Sequence, residues 1–293
     1  MKWLTAAVLR LLAWLPLQAS RRCATGLGWL MERLDTGSAR VTRTNLALCF
    51  PGMDKAERDR LARRSLGHTA CLLFESGPLS HWPRKRLERL IVSETGRQTL
   101  DAGLKAGGVL MFVPHFGNWE FLCFALGDTG FVTLYNPPRI RSLEGTLRRS
   151  RERFGAHMHP TGAGGVRAVY RQLDAGGLVC LLPDQVPEAR GGVYAPFFGR
   201  PALTATLAHR LIRRSRPAVM LGSARRVPGG FALSYERLGE EFHTGDPEEF
   251  ARAFNGAIEG LIGRDPAQYQ WEYKRFRKQP AGYAGVYPKR RRK

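Results

Sequence analysis

The stretch Gly108-Val109-Leu110-Met111-Phe112-Val113-Pro114 is apolar at every position between a glycine and a proline. No alternation runs through it, so both faces must be buried, as in a central strand of a parallel sheet. Residues 131–135, 178–182 and 218–222 form runs of the same kind, and 231–235 follows a Pro228-Gly229-Gly230 turn. Helical patterns separate them. In 55–75 the residues Leu61, Ala62, Leu66, Thr69, Leu72 and Leu73 recur at helical spacing, with Pro78 and Pro83 closing the segment. Shorter helices are expected after Pro83, near Thr95 and over 119–126. Further helical patterns occupy 142–154, 165–173, 203–214 and 247–262. The last has Asp246 as N-cap, Pro247 at the first position and Glu249 at the third. Strands alternating with helices predict an α/β domain with a mostly parallel sheet. No linker interrupts 40–280, so one domain is the simplest organisation, and 293 residues are ample for its core.

The N-terminal residues 3–19 are mostly apolar, broken by Arg10 and Pro16. A span needs about 20 apolar residues. Three assignments compete: a cleaved signal peptide, with Lys2 as its basic start and Leu17-Gln18-Ala19 as a loose cleavage site; a soluble core helix; and an uncleaved membrane helix. Arg10 inside the apolar stretch, Arg21 and Arg22 directly after it, and a second apolar turn at 26–31 favour the uncleaved helix. It would lie in the membrane interface or marginally span it, its arginines on the cytoplasmic side. The net charge, 46 Lys and Arg against 25 Asp and Glu or +21, favours anionic partners, and its densest block is Lys289–Lys293. The five cysteines are scattered and mostly inside apolar runs, which excludes a disulfide scaffold and suits buried thiols in a reducing compartment. No Cys/His spacing fits zinc, and the His157/His159 pair lacks a third ligand. No GxSxG elbow and no nucleic-acid-binding signature occur.

The segment most charged with chemistry is His115-Phe116-Gly117-Asn118-Trp119-Glu120, which leaves the first buried strand and enters a helix. Ligands of open α/β sheets bind outside the carboxyl ends of strands. A histidine there, with Gly117 turning the chain so that Glu120 can meet it, is a candidate general base with an orienting carboxylate. The bland alternative is a capping histidine beside a helix-start glutamate. Asp184 and Gln185 follow the strand at 178–182 and either bind substrate hydroxyls or organise their loop. Arg167 and Arg171, one helical turn apart, either meet a phosphate or form a solvated face. His68, His81 and His209 read as surface or helix-packing residues.

The His-x4-Glu segment resembles the motif of glycerolipid acyltransferases, in the form used by the bacterial lipid A biosynthesis (late, or Kdo-dependent) acyltransferases. Three further blocks are similar to that family in order: Arg43-Thr44-Asn45-Leu46 with Cys49-Phe50-Pro51; Leu182-Pro183-Asp184-Gln185 with Pro196-Phe197-Phe198-Gly199; and Gln270-Trp271 with Arg275-Phe276. The resemblance spans about residues 1–280. It implies a single glycerolipid-acyltransferase-like α/β domain (32–280) and an N-terminal membrane-anchoring helix region (1–31); beyond it, residues 281–293 read from their charge as a basic tail. It implies transfer of a fatty acyl chain from a thioester, usually on acyl carrier protein, to a hydroxyl of a lipid A precursor. No cofactor, metal or acyl-enzyme is implied. His115 would be the base and Glu120 its orienting partner. Asn118, Arg139, Arg167, Asp184 and Gln185 are candidate substrate-binding residues, Arg139 standing in a Tyr135-Asn136-Pro137-Pro138-Arg139 stretch where the family often carries YRP. Glu272-Tyr273-Lys274 also departs from the family, where histidine or tryptophan is commoner. The expected partners are acyl carrier protein, anionic membrane lipid and the glycolipid acceptor, at the cytoplasmic face of the inner membrane, with attachment peripheral or single-pass; no nucleic acid is expected. The alternatives are another envelope acceptor, such as a mannosylated phosphoinositide, and a basic membrane- or nucleic-acid-binding protein without catalysis.

Overall fold

The computed structural model describes residues 2–136, 145, 148, 149 and 151–287. The expected helix over 142–154 therefore falls partly outside the described residues, and Arg139 and the tail Lys289–Lys293 lie wholly outside them. Helices α1 (Lys2–Trp14), α2 (Leu17–Arg33), α3 (Gly37–Cys49) and α4 (Lys55–His81) come first. Then follow α5 (Arg84–Glu88), β1 (Ile91–Thr95), α6 (Arg97–Lys105), β2 (Val109–Phe112), α7 (Trp119–Ala125), β3 (Val132–Tyr135), β4 (His157–Pro160) and α8 (Ala163–Asp174). Next come β5 (Leu178–Leu181), β6 (Gly192–Phe197), β7 (Arg200–Ala205), α9 (Leu207–Ser215), β8 (Ala218–Val227), β9 (Gly230–Arg237) and α10 (Pro247–Arg264), and an irregular C-terminal segment follows.

Among the described residues the main sheet has seven strands in the order β1-β9-β8-β2-β5-β3-β4. All neighbours run parallel except β8 and β9, which form a hairpin. The expected α/β domain with a mostly parallel, helix-flanked sheet is what forms. The unbroken apolar run of β2 has its cause here, since the strand lies mid-sheet and Val109 to Phe112 are fully buried. Two cores cover its faces, one built around Phe112, Phe250 and Phe254, the other around Met111, Phe121 and Phe231.

Some elements differ from the sequence expectation. Helix α4 continues through Pro78 to His81. A proline in the last turn removes only one helical hydrogen bond, and Trp82 fixes the end by donating Nε1–H to the Ala13 carbonyl at 2.7 Å. Residues 203–205 are strand, not helix: the Phe198-Gly199 turn folds β7 back on β6, and the helix starts only at Leu207. The His157/His159 pair lies in edge strand β4, where alternation leaves Met158 buried between them.

Pro16 divides the N-terminal apolar stretch into α1 and α2, and both helices pack along α4. The α2–α4 crossing is close because Gly28 meets Gly67; a Cβ on Gly28 would lie 2.4 Å from the Gly67 nitrogen. Among the described residues no helix is long and apolar enough to cross a membrane. The single-pass expectation for the N-terminal helix therefore finds no support.

Candidate functional site

Strands β2 and β5 are parallel neighbours in register, with Phe112 opposite Leu181. Three residues beyond each lie His115 and Asp184, so the sheet sets the two side by side at its carboxyl edge. The His115 backbone N–H donates to Asp184 Oδ2 at 2.9 Å, and ring Nδ1–H donates to Oδ1 at 2.7 Å. Burial alone would raise the Asp184 carboxyl. The His115 charge, these two hydrogen bonds and the Arg275 guanidinium outweigh it and hold the carboxyl below its usual range. With Nδ1–H committed to Asp184, Nε2 carries the lone pair. Gln185 Nε2 lies 3.2 Å from that nitrogen and donates to Gln270 Oε1 at 3.3 Å. His115 is packed edge-on against Trp119, 4.8 Å between ring centroids.

Glu120 goes elsewhere. Its carboxylate receives Arg151 Nε at 2.8 Å and Arg151 Nη2 as a two-pronged pair. The expected His115–Glu120 contact is thus replaced by His115–Asp184 and Glu120–Arg151. The reason is geometric: Glu120 sits in the first turn of α7, while the Nδ1 edge of His115 faces the end of β5. Asn118 is the N-cap of α7. Its Oδ1 accepts from Phe121 N–H at 2.9 Å and its Nδ2 donates to Glu75 at 2.8 Å, so its side chain serves the fold. Arg167 is exposed on α8, in a shallow groove with Arg171 and Arg214 that shares no residue with the His115 pocket. Of the candidate residues, His115, Asp184 and Gln185 converge; Glu120 and Asn118 bond to other partners, and Arg167 lies in a separate groove.

The turn carrying His115 is held from three sides. Gly117 has φ 60°, and a Cβ there would lie 2.1 Å from the Ala224 carbonyl oxygen. Its N–H donates to the Gln268 carbonyl at 2.9 Å, and Asn118 N–H donates to the Ala224 carbonyl at 2.8 Å. Beneath it lies a buried charge cluster. Glu75 of α4 accepts from Arg226 Nε of β8 (2.9 Å), from Arg21 Nε of α2 (3.1 Å) and from Asn118. Arg226 Nη1 donates to the Gly117 carbonyl at 2.8 Å. Arg21 also donates to the Val227 and Gly230 carbonyls. It therefore binds the N-terminal helices to the sheet instead of flanking a membrane helix.

The other sequence blocks meet behind Asp184. Asn45 Nδ2 donates to the Trp271 and Tyr273 carbonyls at 2.7 and 2.8 Å. Phe50, Phe198 and Trp271 form a ring cluster, 5.1 to 6.0 Å between centroids. Phe198 holds φ 48°, unusual for a bulky residue, within the two-residue turn joining β6 to β7, and its ring packs against those of Phe50, Phe197 and Trp271. Arg275 is buried, donating to the Leu203 carbonyl, Thr204 and Asn255. Tyr273 accepts the Val186 N–H, and Lys278 donates to the Pro187 carbonyl, so the C-terminal segment braces the loop after Asp184.

The pocket on the open side of His115 has a volume of about 10 Å³, the room of one water. His68 and Thr69 of α4 and Gln270 and Glu272 of the C-terminal segment help to line it. His68 is half-buried on α4, which fits the helix-packing alternative; burial pushes its pKa down to about 4, which keeps it neutral. Burial also raises the Glu272 carboxyl.

The family model of the bacterial lipid A biosynthesis acyltransferases matches residues 1–278. The chain is 28% identical to the lipid A biosynthesis lauroyltransferase of Escherichia coli (strain K12), covering 97% of this chain and 94% of that one. It is 27% identical to the palmitoleoyltransferase of the same strain, with the same coverage. It is also 27% identical to a lipid A biosynthesis acyltransferase of Haemophilus influenzae, over 95% of this chain and 90% of the relative. A match along nearly the whole chain, over a parallel sheet with a carboxylate-bound histidine at its carboxyl edge, makes this protein a member of the bacterial lipid A biosynthesis acyltransferase family.

Proposed function

We propose that this acyltransferase moves a fatty acyl chain from an acyl thioester, carried on acyl carrier protein, to a hydroxyl of a lipid A precursor, with His115 as general base. The observation that carries the reading is the His115–Asp184 pair, which frees Nε2 on the pocket side. The acceptor hydroxyl takes the place on Nε2 that the Gln185 amide now holds. Nε2 removes its proton as the oxygen attacks the thioester carbonyl. The new C–O bond forms, the C–S bond breaks, and the proton passes from His115 to the leaving thiolate. Asp184 fixes the tautomer and stabilises the imidazolium. Purified protein given an acyl carrier protein thioester and a detergent-dispersed lipid A precursor should form one new ester and release one thiol. Thiol release without the ester would contradict the reading.

The same proposal puts the protein on the cytoplasmic face of the inner membrane, lying in the interface. Packing of α1 and α2 on α4 leaves Leu11, Trp14, Trp29, Leu30 and Leu34 exposed, Trp14 at 81%. Exposed Arg22 and Arg33 flank them, as an interfacial helix pair requires. The Lys289–Lys293 tail adds charge, about 1 kcal/mol per residue held near anionic lipid. Co-sedimentation with anionic vesicles should capture the wild type, while Leu11→Glu/Trp14→Glu lowers binding by about tenfold or more. Equal binding of the double variant would contradict the interfacial face.

A further inference from the structure

The pocket wall facing His115 is built from groups that the proton transfer does not use. Gln270 N–H donates to the His115 carbonyl at 3.0 Å, which fixes the C-terminal segment against the base. Two residues on, Glu272 is the only carboxylate among the lining residues. Thr69 of α4 donates its hydroxyl to Glu272 Oε2 at 2.9 Å, so a helix and the C-terminal segment aim this carboxyl jointly. His68, one residue before Thr69, lines the same wall, and its Nδ1 is buried without a hydrogen-bond partner. Gln185 reaches from the His115 ring to Gln270, continuing the polar surface. A carboxyl, a hydroxyl, an amide and a neutral imidazole around one small space match a hydroxyl-bearing headgroup. They do not match an alkyl chain, which would leave each of them unpaired.

We propose that Glu272, held by Thr69, is a positioning residue for the acceptor: its carboxyl accepts a hydrogen bond from a headgroup hydroxyl and so brings the reacting hydroxyl to His115 Nε2. The proposal rests on the acyl-transfer reading of the site.

The test is steady-state kinetics of the full-length protein, with lipid A precursor and acyl carrier protein thioester varied in turn. For Glu272→Ala the acceptor KM should rise at least about tenfold, the loss of a hydrogen bond to a charged group, while the donor KM stays within about twofold. Thr69→Val keeps the helix and nearly the same volume, so it guards against a folding artefact. It should move the acceptor KM in the same direction by a smaller factor. An unchanged acceptor KM in both variants would overturn the proposal, as would equal rises in the two KM values. His115→Ala in the same assay separates the two levels. If it loses transfer while the acceptor KM of Glu272→Ala stays at the wild-type value, the subsite is wrong and the base stands. If it retains transfer, the reading of the site falls and the subsite with it.

Discussion

His115→Ala is expected to lower turnover by about 10²–10⁴-fold, the range for loss of a positioned general base. Asp184→Asn should fall in the same range for a different reason. Asp184 accepts twice from His115, from the backbone N–H and from Nδ1–H. An asparagine offers one oxygen and one NH₂, so one of those donors would face another donor. The ring escapes by moving its proton to Nε2, which removes the base. Glu120→Ala acts through another route, because its carboxylate belongs to Arg151. Double-variant cycles on kcat/KM distinguish the routes. Glu120→Ala with Arg151→Ala should be strongly non-additive, and Glu120→Ala with Asp184→Asn should be additive within about 0.5 kcal/mol. Strong coupling between Glu120 and Asp184 would return Glu120 to His115.

The largest effect on stability is expected at Glu75. Glu75 and Arg226 are almost fully buried, at 2% and 3% side-chain exposure, and Arg21 approaches from α2. Removing the carboxylate leaves a buried guanidinium without its counter-charge, a loss of about 3–5 kcal/mol. Denaturant unfolding of Glu75→Ala should report a decrease of that size. A loss below about 1 kcal/mol would mean that Arg226 finds water and the cluster is not sealed. Activity of the folded fraction should fall as well, since Asn118 and the Gly117 carbonyl, both bonded to this cluster, set the turn that carries His115.

The strands of the central sheet were legible because burial on both faces demands unbroken apolar runs, and β2, β5 and β8 show them. β1 was not legible: Val92 to Thr95 are exposed, so no apolar signal marks it as an edge strand. β4 hid behind its two histidines, and β7 behind helix-compatible residues that only the Phe198-Gly199 turn redirects. His115 and Asp184 could each be placed at the end of a strand. That β2 and β5 are neighbours could not be known, because sheet order depends on long-range packing, and without it the nearer carboxylate, Glu120, was the natural partner. Glu75 and His68 sit in a helical stretch crowded with arginines, where a polar residue looks solvated. Glu272 was visible only as an odd residue beside Gln270-Trp271. The blocks at Asn45, Phe50, Phe198, Trp271 and Arg275 were correctly singled out, and the structure explains them as one brace behind Asp184.

Acylation of a lipid A precursor through His115 can be read by mass spectrometry of lipid A from cells lacking the gene, complemented with the wild type or with His115→Ala at equal protein level. Lipid A from the deletion strain is expected to be short of one acyl chain, restored by the wild type and not by His115→Ala. Full restoration by His115→Ala, or lipid A unchanged by the deletion, would contradict it.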